Sequence, residues 1–152
     1  RAGEPRAIRP GQGALQQPGD ALQPWMTVVL GDRLPAAKQK ACVKAISRFR
    51  CVAGLATETL KSLLHERDGY WRGPVWAPYT LLACDGLRRM GQSRMASQIA
   101  ADFIGNCRVA GFAENYAADN GAPLRDRAYS WTASAYFVLT QQTRERNDRR
   151  KS

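Results

Sequence analysis

Metal-ligand residues are scarce in this sequence. It contains one histidine, His65, and four cysteines, none of which form a C-x-x-C pair. Structural zinc sites are usually built from such pairs together with histidines. We therefore expect neither a metal site nor a cofactor. Cys42, Cys84 and Cys107 fall in apolar helical patterns, which predicts buried free thiols and favours a reducing compartment such as the cytoplasm.

Long hydrophobic runs are also missing. No segment approaches the roughly 18 consecutive apolar residues of a membrane-spanning helix, so we expect no membrane association. The apolar patch WMTVVL at 25–30 is too short for a signal peptide and lacks its basic flank. At 152 residues the chain has the length of one domain and could bury a substantial core.

Acidic residues are outnumbered by basic ones. Thirteen Asp and Glu against 23 Lys and Arg give a formal net charge of +10. One interpretation is a nucleic-acid surface, and a basic helical nucleic-acid-binding module therefore stays an alternative. We favour a solvated basic surface instead, because charge alone reports on non-specific association and no dense basic block exceeds pairs such as Arg88-Arg89. Nucleic acid is thus not the expected partner.

Strand patterns are nearly absent, with TVVL at 27–30 as the one candidate, so the sequence predicts an all-α fold. Thr57 is a suitable cap for a short helix with Leu60, Leu63 and Leu64 facing inward. Apolar residues recur at helical spacing in five segments: 36–49, 58–66, 75–90, 93–107 and 130–141.

The composition divides the chain into three parts. Residues 1–24 are rich in Pro, Gly and Gln and predict a linker or a poorly ordered segment. Residues 25–141 carry the helical patterns and form the expected domain. Residues 142–152 are highly charged and are expected to form a frayed tail.

Two connections have an unusual composition. YWRGPVW at 70–76 precedes the third predicted helix, and 108–128, which includes GFAENYAADNG, precedes the last one. Because the short turn at 91–92 makes a helix hairpin between them, we expect both connections at the same end of the helix layer and in contact.

That shared end combines aromatic and polar side chains. Aromatic faces suit sugar rings, and guanidinium and amide groups suit pairs of hydroxyls. A carboxylate among aromatics, Glu114, is a candidate general base. Alternatively, the aromatics close a helical core and Glu114 forms a structural salt bridge with an arginine. The residues by themselves leave both interpretations open.

A family resemblance rests on four motifs in a specific order and spacing: GLATETLKS at 54–62, YWRGPVW at 70–76, ENY at 114–116 and YSWTAS at 129–134. From about Trp25 to Leu139 the chain resembles the C-terminal part of glycoside hydrolases of family 63 and their mannosylglycerate-hydrolase and trehalase-like relatives. The resemblance implies part of an (α/α)6 toroid of helical hairpins. It also implies a carbohydrate substrate and inverting hydrolysis of an α-linked glucoside or a related small sugar.

Residue roles follow from the resemblance. Glu114 matches the general base, which would take a proton from the attacking water. Arg72 would brace the site, and Asn115 would orient Glu114 or a sugar hydroxyl. The candidate substrate-binding residues are Tyr70, Trp71, Arg72, Trp76, Asn115, Tyr116 and Trp131.

The second carboxyl of such a mechanism has no match here. Inverting enzymes need two carboxyl groups about 6.5–9.5 Å apart, and the family's acid is an aspartate in an aromatic loop of the first half of the toroid. Residues 1–24 contain no such loop, and the chain starts at Arg1. We therefore expect a fragment whose partner is the missing N-terminal half and which alone is at best a very weak hydrolase. A non-catalytic carbohydrate-binding helical module is the remaining alternative.

Overall fold

The computed structural model describes residues 20–148, without the side chain of Asn147. Within that range lie four α-helices: α1 Ala36–Ile46, α2 Ala77–Arg89, α3 Ser93–Ala110 and α4 Ser130–Asp148. A 3-10 segment, Gln23–Arg33, precedes α1, and a 3-10 turn, Ser47–Phe49, follows it. The expected all-α fold class is confirmed.

The helix ends follow from local chemistry. Pro35 directly precedes α1, and Pro78 lies in the first turn of α2. The N–H groups at the start of a helix make no intrahelical hydrogen bond, so a proline there removes none. Helix α3 passes its expected end at 107 and stops before Gly111, whose φ of 77° is accessible to glycine without strain.

The charged tail is helical as far as it is described. Helix α4 continues through 142–148, and residues 149–152 lie outside the described range. Arg146 donates a hydrogen bond to the Ser93 carbonyl at 2.9 Å, and Arg88 donates to the Gln142 side chain at 2.5 Å. These contacts tie the end of α4 to the α2–α3 hairpin, which explains why the helix does not end at 141.

Most of the expected linker, residues 1–19, also lies outside the described range. The remainder, 20–24, packs onto the domain. Leu22 is fully buried, and its N–H donates to the Thr57 carbonyl at 2.9 Å.

The prediction of a helix at 58–66 is wrong. The segment consists of turns, and Leu63 is 88% exposed. The reason is tertiary: the N–H of Thr59 bonds to Asp20, and the N–H of Thr57 bonds to the carbonyls of Gly73 and Pro74. These hydrogen bonds to distant parts of the chain hold the start of the segment outside a helix, and the rest closes single turns, with the N–H of Ser62 bonded to Thr59 and that of His65 bonded to Ser62.

The remaining regular structure is two short antiparallel ladders. β1 Arg50–Cys51 pairs with β2 Gly54–Leu55, and β3 Asn115–Tyr116 pairs with β4 Pro123–Leu124. TVVL at 27–30 lies in the 3-10 segment, so its interpretation as a strand is wrong. Ladders of two residues leave no periodic pattern in a sequence.

Helix α2 is the centre of the packing. It contacts the 3-10 segment Gln23–Arg33 on one side and α3 and α4 on others. Gly86 permits the closest approach, because a Cβ there would lie 2.1 Å from the Val28 carbonyl oxygen. Ile99 and Phe103 of α3 are fully buried in this core, as the helical pattern predicted.

The predicted burial of three thiols is confirmed. Cys42, Cys84 and Cys107 are buried and, like Cys51, free. Burial raises the pKa of Cys84 to about 12 and that of Cys107 to about 11, so both thiols are protonated at neutral pH. Among the described residues no cluster of His, Cys, Asp and Glu could hold a metal ion. In the same part of the chain, no helix is long and apolar enough to cross a bilayer.

Candidate functional site

The two unusual connections are in contact, as predicted from the helix hairpin between them. The N–H of Val75 donates to the Tyr116 carbonyl at 2.8 Å, and the N–H of Tyr116 donates back at 3.1 Å. A further bridge joins Val75 to Ala56. Three segments that are distant in sequence therefore converge just before α2 begins.

The YWRGPVW motif folds into a compact turn. Glu66 and Arg72 are joined by a backbone hydrogen bond of 2.7 Å, and the N–H of Gly73 donates to the Thr57 hydroxyl at 3.1 Å. A Cβ at Gly73 would lie 2.2 Å from the Glu66 carbonyl oxygen. The glycine is therefore required by the close approach of the chain to itself.

Three aromatic rings of YWRGPVW and the Trp131 ring at the start of α4 form one cluster. Trp71 stacks on Trp76 with ring centroids 4.2 Å apart. Tyr70 and Trp131 both contact the Trp76 ring edge-on, with centroid distances of 4.7 Å and 5.3 Å. The indole N–H of Trp76 donates to the Tyr70 carbonyl at 2.7 Å. Tyr70 and Trp71 are 41% and 44% exposed, whereas Trp76 is fully buried. We call the exposed pair Tyr70 and Trp71 the aromatic platform.

Glu114 is held beside this cluster by its backbone. Its N–H donates to the Asp126 carbonyl at 2.7 Å, and its carbonyl accepts the indole N–H of Trp131 at 3.2 Å. The side chain is half-buried. The pKa of Tyr129 is raised, first by desolvation and next by the negative charge of Glu114.

The Glu114 carboxylate makes no ion pair with any described residue. Within residues 20–148, the alternative of a structural salt bridge between Glu114 and an arginine therefore finds no partner.

Asn115 and Tyr116 lie behind the surface. Both are fully buried. The Tyr116 hydroxyl donates to the Gly111 carbonyl at 2.5 Å and lies 3.3 Å from the Cys107 sulfur, and burial raises its pKa. The side-chain amide of Asn115 has no hydrogen-bond partner among the described residues for either its oxygen or its nitrogen.

The seven expected substrate-binding residues thus divide by exposure. Tyr70, Trp71 and Arg72 are exposed and Trp131 is half-buried. Burial places Trp76, Asn115 and Tyr116 behind them, where they support the exposed residues and do not form surface themselves.

Two polar residues at this end were not selected from the sequence. Arg67 and Asp68, which lie just before YWRGPVW, form ion pairs with Asp119 and Arg125 of the connection 108–128. Their only signal in the sequence is an arginine next to an aspartate, which is too common a pattern to identify a contact.

Comparison with known proteins relates this geometry to a family. The sequence profile of the mannosylglycerate hydrolase MGH1-like glycoside hydrolase domain matches residues 14–132. The chain is 32% identical over 76 residues to mannosylglycerate hydrolase from Thermus thermophilus. It is 36% identical over 66 residues to glucosylglycerate hydrolase from Mycolicibacterium hassiacum. These alignments cover 50% and 43% of this chain.

The fold is similar to that of a solved structure. A GH63 mannosylglycerate hydrolase from Thermus thermophilus, solved in complex with glucose, superposes with a TM-score of 0.69 at 21% identity over 82% of this chain. The helices therefore form part of an (α/α)6 fold, as expected. The chain spans 30% of that solved chain, and 18% and 15% of the two curated relatives.

The resemblance carried by YWRGPVW, ENY and YSWTAS is confirmed by the profile match, which includes the first two motifs in full and the third as far as residue 132. The chain belongs to the family of mannosylglycerate hydrolase MGH1-like glycoside hydrolase domains.

Proposed function

We propose that this chain forms the base-bearing part of the active site of an inverting glycoside hydrolase, with Glu114 as the general base. The observation that carries the proposal is the state of the Glu114 carboxylate. The residue is half-buried, fixed through its backbone to Asp126 and to the Trp131 indole, and without an ion pair among the described residues.

The chemistry required of Glu114 is the removal of a proton from water. In an inverting reaction that water attacks the anomeric carbon on the face opposite to the leaving group. A salt bridge would favour the charged form of the carboxylate and so weaken it as a base. The two backbone hydrogen bonds, to Asp126 and from Trp131, hold the residue in place while leaving its side-chain oxygens available.

The aromatic platform supplies a surface for a sugar ring. Tyr70 and Trp71 are exposed and adjacent, with ring centroids 5.5 Å apart. Arg72 is exposed, and its guanidinium makes no ion pair within residues 20–148, so it is available to hydroxyl or carboxylate acceptors. The substrate class that fits the relatives' names is a small α-linked hexosyl glycerate, such as glucosylglycerate or mannosylglycerate.

Asn115 fits this role from behind the surface. A buried amide without partners costs about 1–3 kcal/mol, and both polar atoms of Asn115 lack a partner among the described residues. An internal water beside Glu114 would satisfy them. In this proposal Asn115 orients such a water and does not bind the sugar directly.

The catalytic acid of the proposed reaction comes from outside this sequence. The relatives are several times longer than this chain, and the missing N-terminal half would carry the aspartate. Loss of acid catalysis lowers a rate by about 10²–10⁴-fold. This chain alone would accordingly hydrolyse an ordinary glycoside very slowly.

A substrate that needs no acid tests the base directly. Fluoride leaves α-glucosyl fluoride without being protonated, so the chain should release fluoride, with β-glucose as the first product detected by NMR. Glu114→Gln should lower the rate by at least about 10²-fold. The matched control is Glu145→Gln, which changes an exposed glutamate in the last part of α4.

Two results would overturn the proposal. Equal fluoride release by the Glu114→Gln and Glu145→Gln proteins would exclude Glu114 as the base. Absence of release combined with tight binding of glucosylglycerate, measured by calorimetry, would favour the carbohydrate-binding module instead. The exposed aromatic platform is compatible with that second function. The nucleic-acid alternative has no such support. Five arginines pair with aspartates, which reduces the positive charge that they offer to a phosphate backbone: Arg48, Arg50, Arg67, Arg89 and Arg125.

A further inference from the structure

Two reciprocal ion pairs join the loop 66–72 to the loop 119–127. Arg125 contacts the Asp68 carboxylate at 2.9 Å and also donates to the Asp68 carbonyl at 3.3 Å. In the opposite direction, Arg67 contacts the Asp119 carboxylate and the Asn120 side chain, both at 3.4 Å. Each loop therefore supplies an arginine to an acceptor on the other. The pair centred on Arg125 has the shorter distances.

Arg125 also contacts the aromatic platform. Its guanidinium carbon lies 5.0 Å from the centroid of the Tyr70 ring, within the range of a cation–π interaction. The Arg125 side chain thus binds the carbonyl of Asp68, two residues before Tyr70, and also the Tyr70 ring. Since Tyr70 meets Trp71 at 5.5 Å and Trp76 at 4.7 Å, the position of its ring affects the whole cluster.

The backbone at both contact residues is unusual. Tyr70 has a φ of 57° and Arg125 a φ of 60°, and they are the two non-glycine residues with positive φ among residues 20–148. This conformation is unfavourable for residues with a Cβ and persists where surrounding contacts impose it. The two strained residues face each other through a direct side-chain contact, so each can help to hold the other in place.

We propose that Arg125 is a positioning residue for the aromatic platform. Bound to Asp68 and lying over the Tyr70 ring, it holds Tyr70 in its edge-on contacts with Trp71 and Trp76. Arg125 acts through Tyr70 and does not itself contact the reacting atoms. The role of the platform as a sugar surface rests on the function proposed above, whereas the positioning of the rings does not.

The contacts of Arg125 are partly exposed to solvent, with 37% of its side chain accessible. Exposed ion pairs taken singly contribute little. Three contacts made by one guanidinium to one short loop have a larger combined effect, of the size of a cation–π interaction added to an ion pair. We therefore expect a measurable but moderate change when the guanidinium is removed.

The test compares Arg125→Ala with Arg127→Ala. Arg127 is an exposed arginine of the same loop and makes no ion pair with any described residue, so its loss removes the same charge. The first readout is the far-ultraviolet circular-dichroism exciton band of the stacked Trp71 and Trp76 indoles. The second is the affinity for glucosylglycerate by calorimetry. Arg125→Ala should weaken the band and lower the affinity about three- to tenfold, and Arg127→Ala should change neither.

Three further variants complete the test, and two of them separate the effect of the Arg125 side chain from that of its backbone. Arg125→Lys retains the charge, so it should recover part of the band and of the affinity. Arg125→Gly removes the guanidinium and also the cost of the positive φ, which glycine adopts without strain. If the guanidinium contacts position the rings, this variant should behave like Arg125→Ala. Asp68→Asn, which leaves Arg125 in place, should show part of the loss and guards against a failure of the Arg125 variants to fold.

Several outcomes would overturn this proposal. One is an exciton band in Arg125→Ala and Asp68→Asn equal to that of Arg127→Ala. Another is full recovery in Arg125→Gly, which would assign the effect to backbone strain. If the unmodified chain binds no sugar, the function proposed above fails, and the exciton band alone still decides whether Arg125 positions the rings.

Discussion

Trp71 stacks on Trp76 with ring centroids 4.2 Å apart and 19° between the ring planes. The two rings differ completely in exposure, since Trp71 is 44% accessible and Trp76 is fully buried. One motif therefore contains one tryptophan that supports the fold and one that forms surface. The physical cause is the turn between them, in which Gly73 and Pro74 direct the chain from solvent into the start of α2.

Substitution of these two tryptophans should separate stability from binding. Trp76→Ala removes a fully buried indole and should lower the free energy of unfolding by about 3–5 kcal/mol. Trp71→Ala should lower it by less than about 1 kcal/mol, but should weaken sugar binding about three- to tenfold through loss of the exposed ring. Urea unfolding and calorimetric titration measure the two effects. Equal destabilisation by both substitutions would contradict the assigned roles.

Two glycines within helices make a matched pair for packing. A Cβ at Gly86 of α2 would lie 2.1 Å from the Val28 carbonyl oxygen, whereas a Cβ at Gly105 of α3 would meet nothing within 4 Å. Gly105→Ala should stabilise the protein by about 0.5–1 kcal/mol through helix propensity. Gly86→Ala has the same propensity gain but should destabilise by roughly 1–3 kcal/mol because the 3-10 segment must move away. Thermal unfolding of both variants distinguishes these signs, and a stabilised Gly86→Ala protein would mean that Gln23–Arg33 is not packed on α2 in this way.

The buried thiols predict a loss of stability in alkaline solution. Burial raises the pKa of Cys84 from 9.0 to about 12, so the folded chain keeps a proton that the unfolded chain loses. The free energy of unfolding therefore falls as the pH rises above 9, by at most about 1.4 kcal/mol per pH unit for this thiol. The stabilisation is complete below pH 9 and is lost as the pH approaches the folded pKa.

Urea unfolding between pH 8 and pH 10.5 measures this dependence, with Cys84→Ser as the comparison. The serine hydroxyl does not titrate in that range, so the slope should be shallower in the variant. The Cys51 and Cys107 thiols, whose pKa values burial raises to about 11, should leave a remaining slope. Identical slopes in the two proteins would show that Cys84 is not buried as a neutral thiol.

Much of the fold could be predicted because it depends on local patterns. Helix α3 was predictable from the recurrence of Met95, Ile99 and Phe103 every four residues, since that spacing places them on one face of a helix. The segment 58–66 has a similar apolar pattern but is irregular, because the N–H groups of Thr57 and Thr59 at its start bond to distant carbonyls, those of Pro74 and Asp20. Periodicity describes what a segment could form alone, and here long-range hydrogen bonds prevail.

The candidate site, too, could be predicted from the sequence only in part. The contact between the two connections followed from a short turn and a hairpin, and is confirmed by the hydrogen bonds between Val75 and Tyr116. The exposure of each residue did not follow. Neither the burial of Asn115 nor the lack of an ion pair between Glu114 and residues 20–148 has a signature in the sequence, because both depend on which distant groups come within a few ångströms.

The sequence by itself determined the helical class, the burial of the thiols, the meeting of the two connections and the family motifs. All of these depend on residue type, spacing and connection length. Only the tertiary structure decided that Trp71 is exposed over a buried Trp76, that the Glu114 carboxylate makes no ion pair with a described residue, and that Arg125 lies over Tyr70. Those properties arise from pairs of residues far apart in the chain, whose distances are set by the packing of the whole domain.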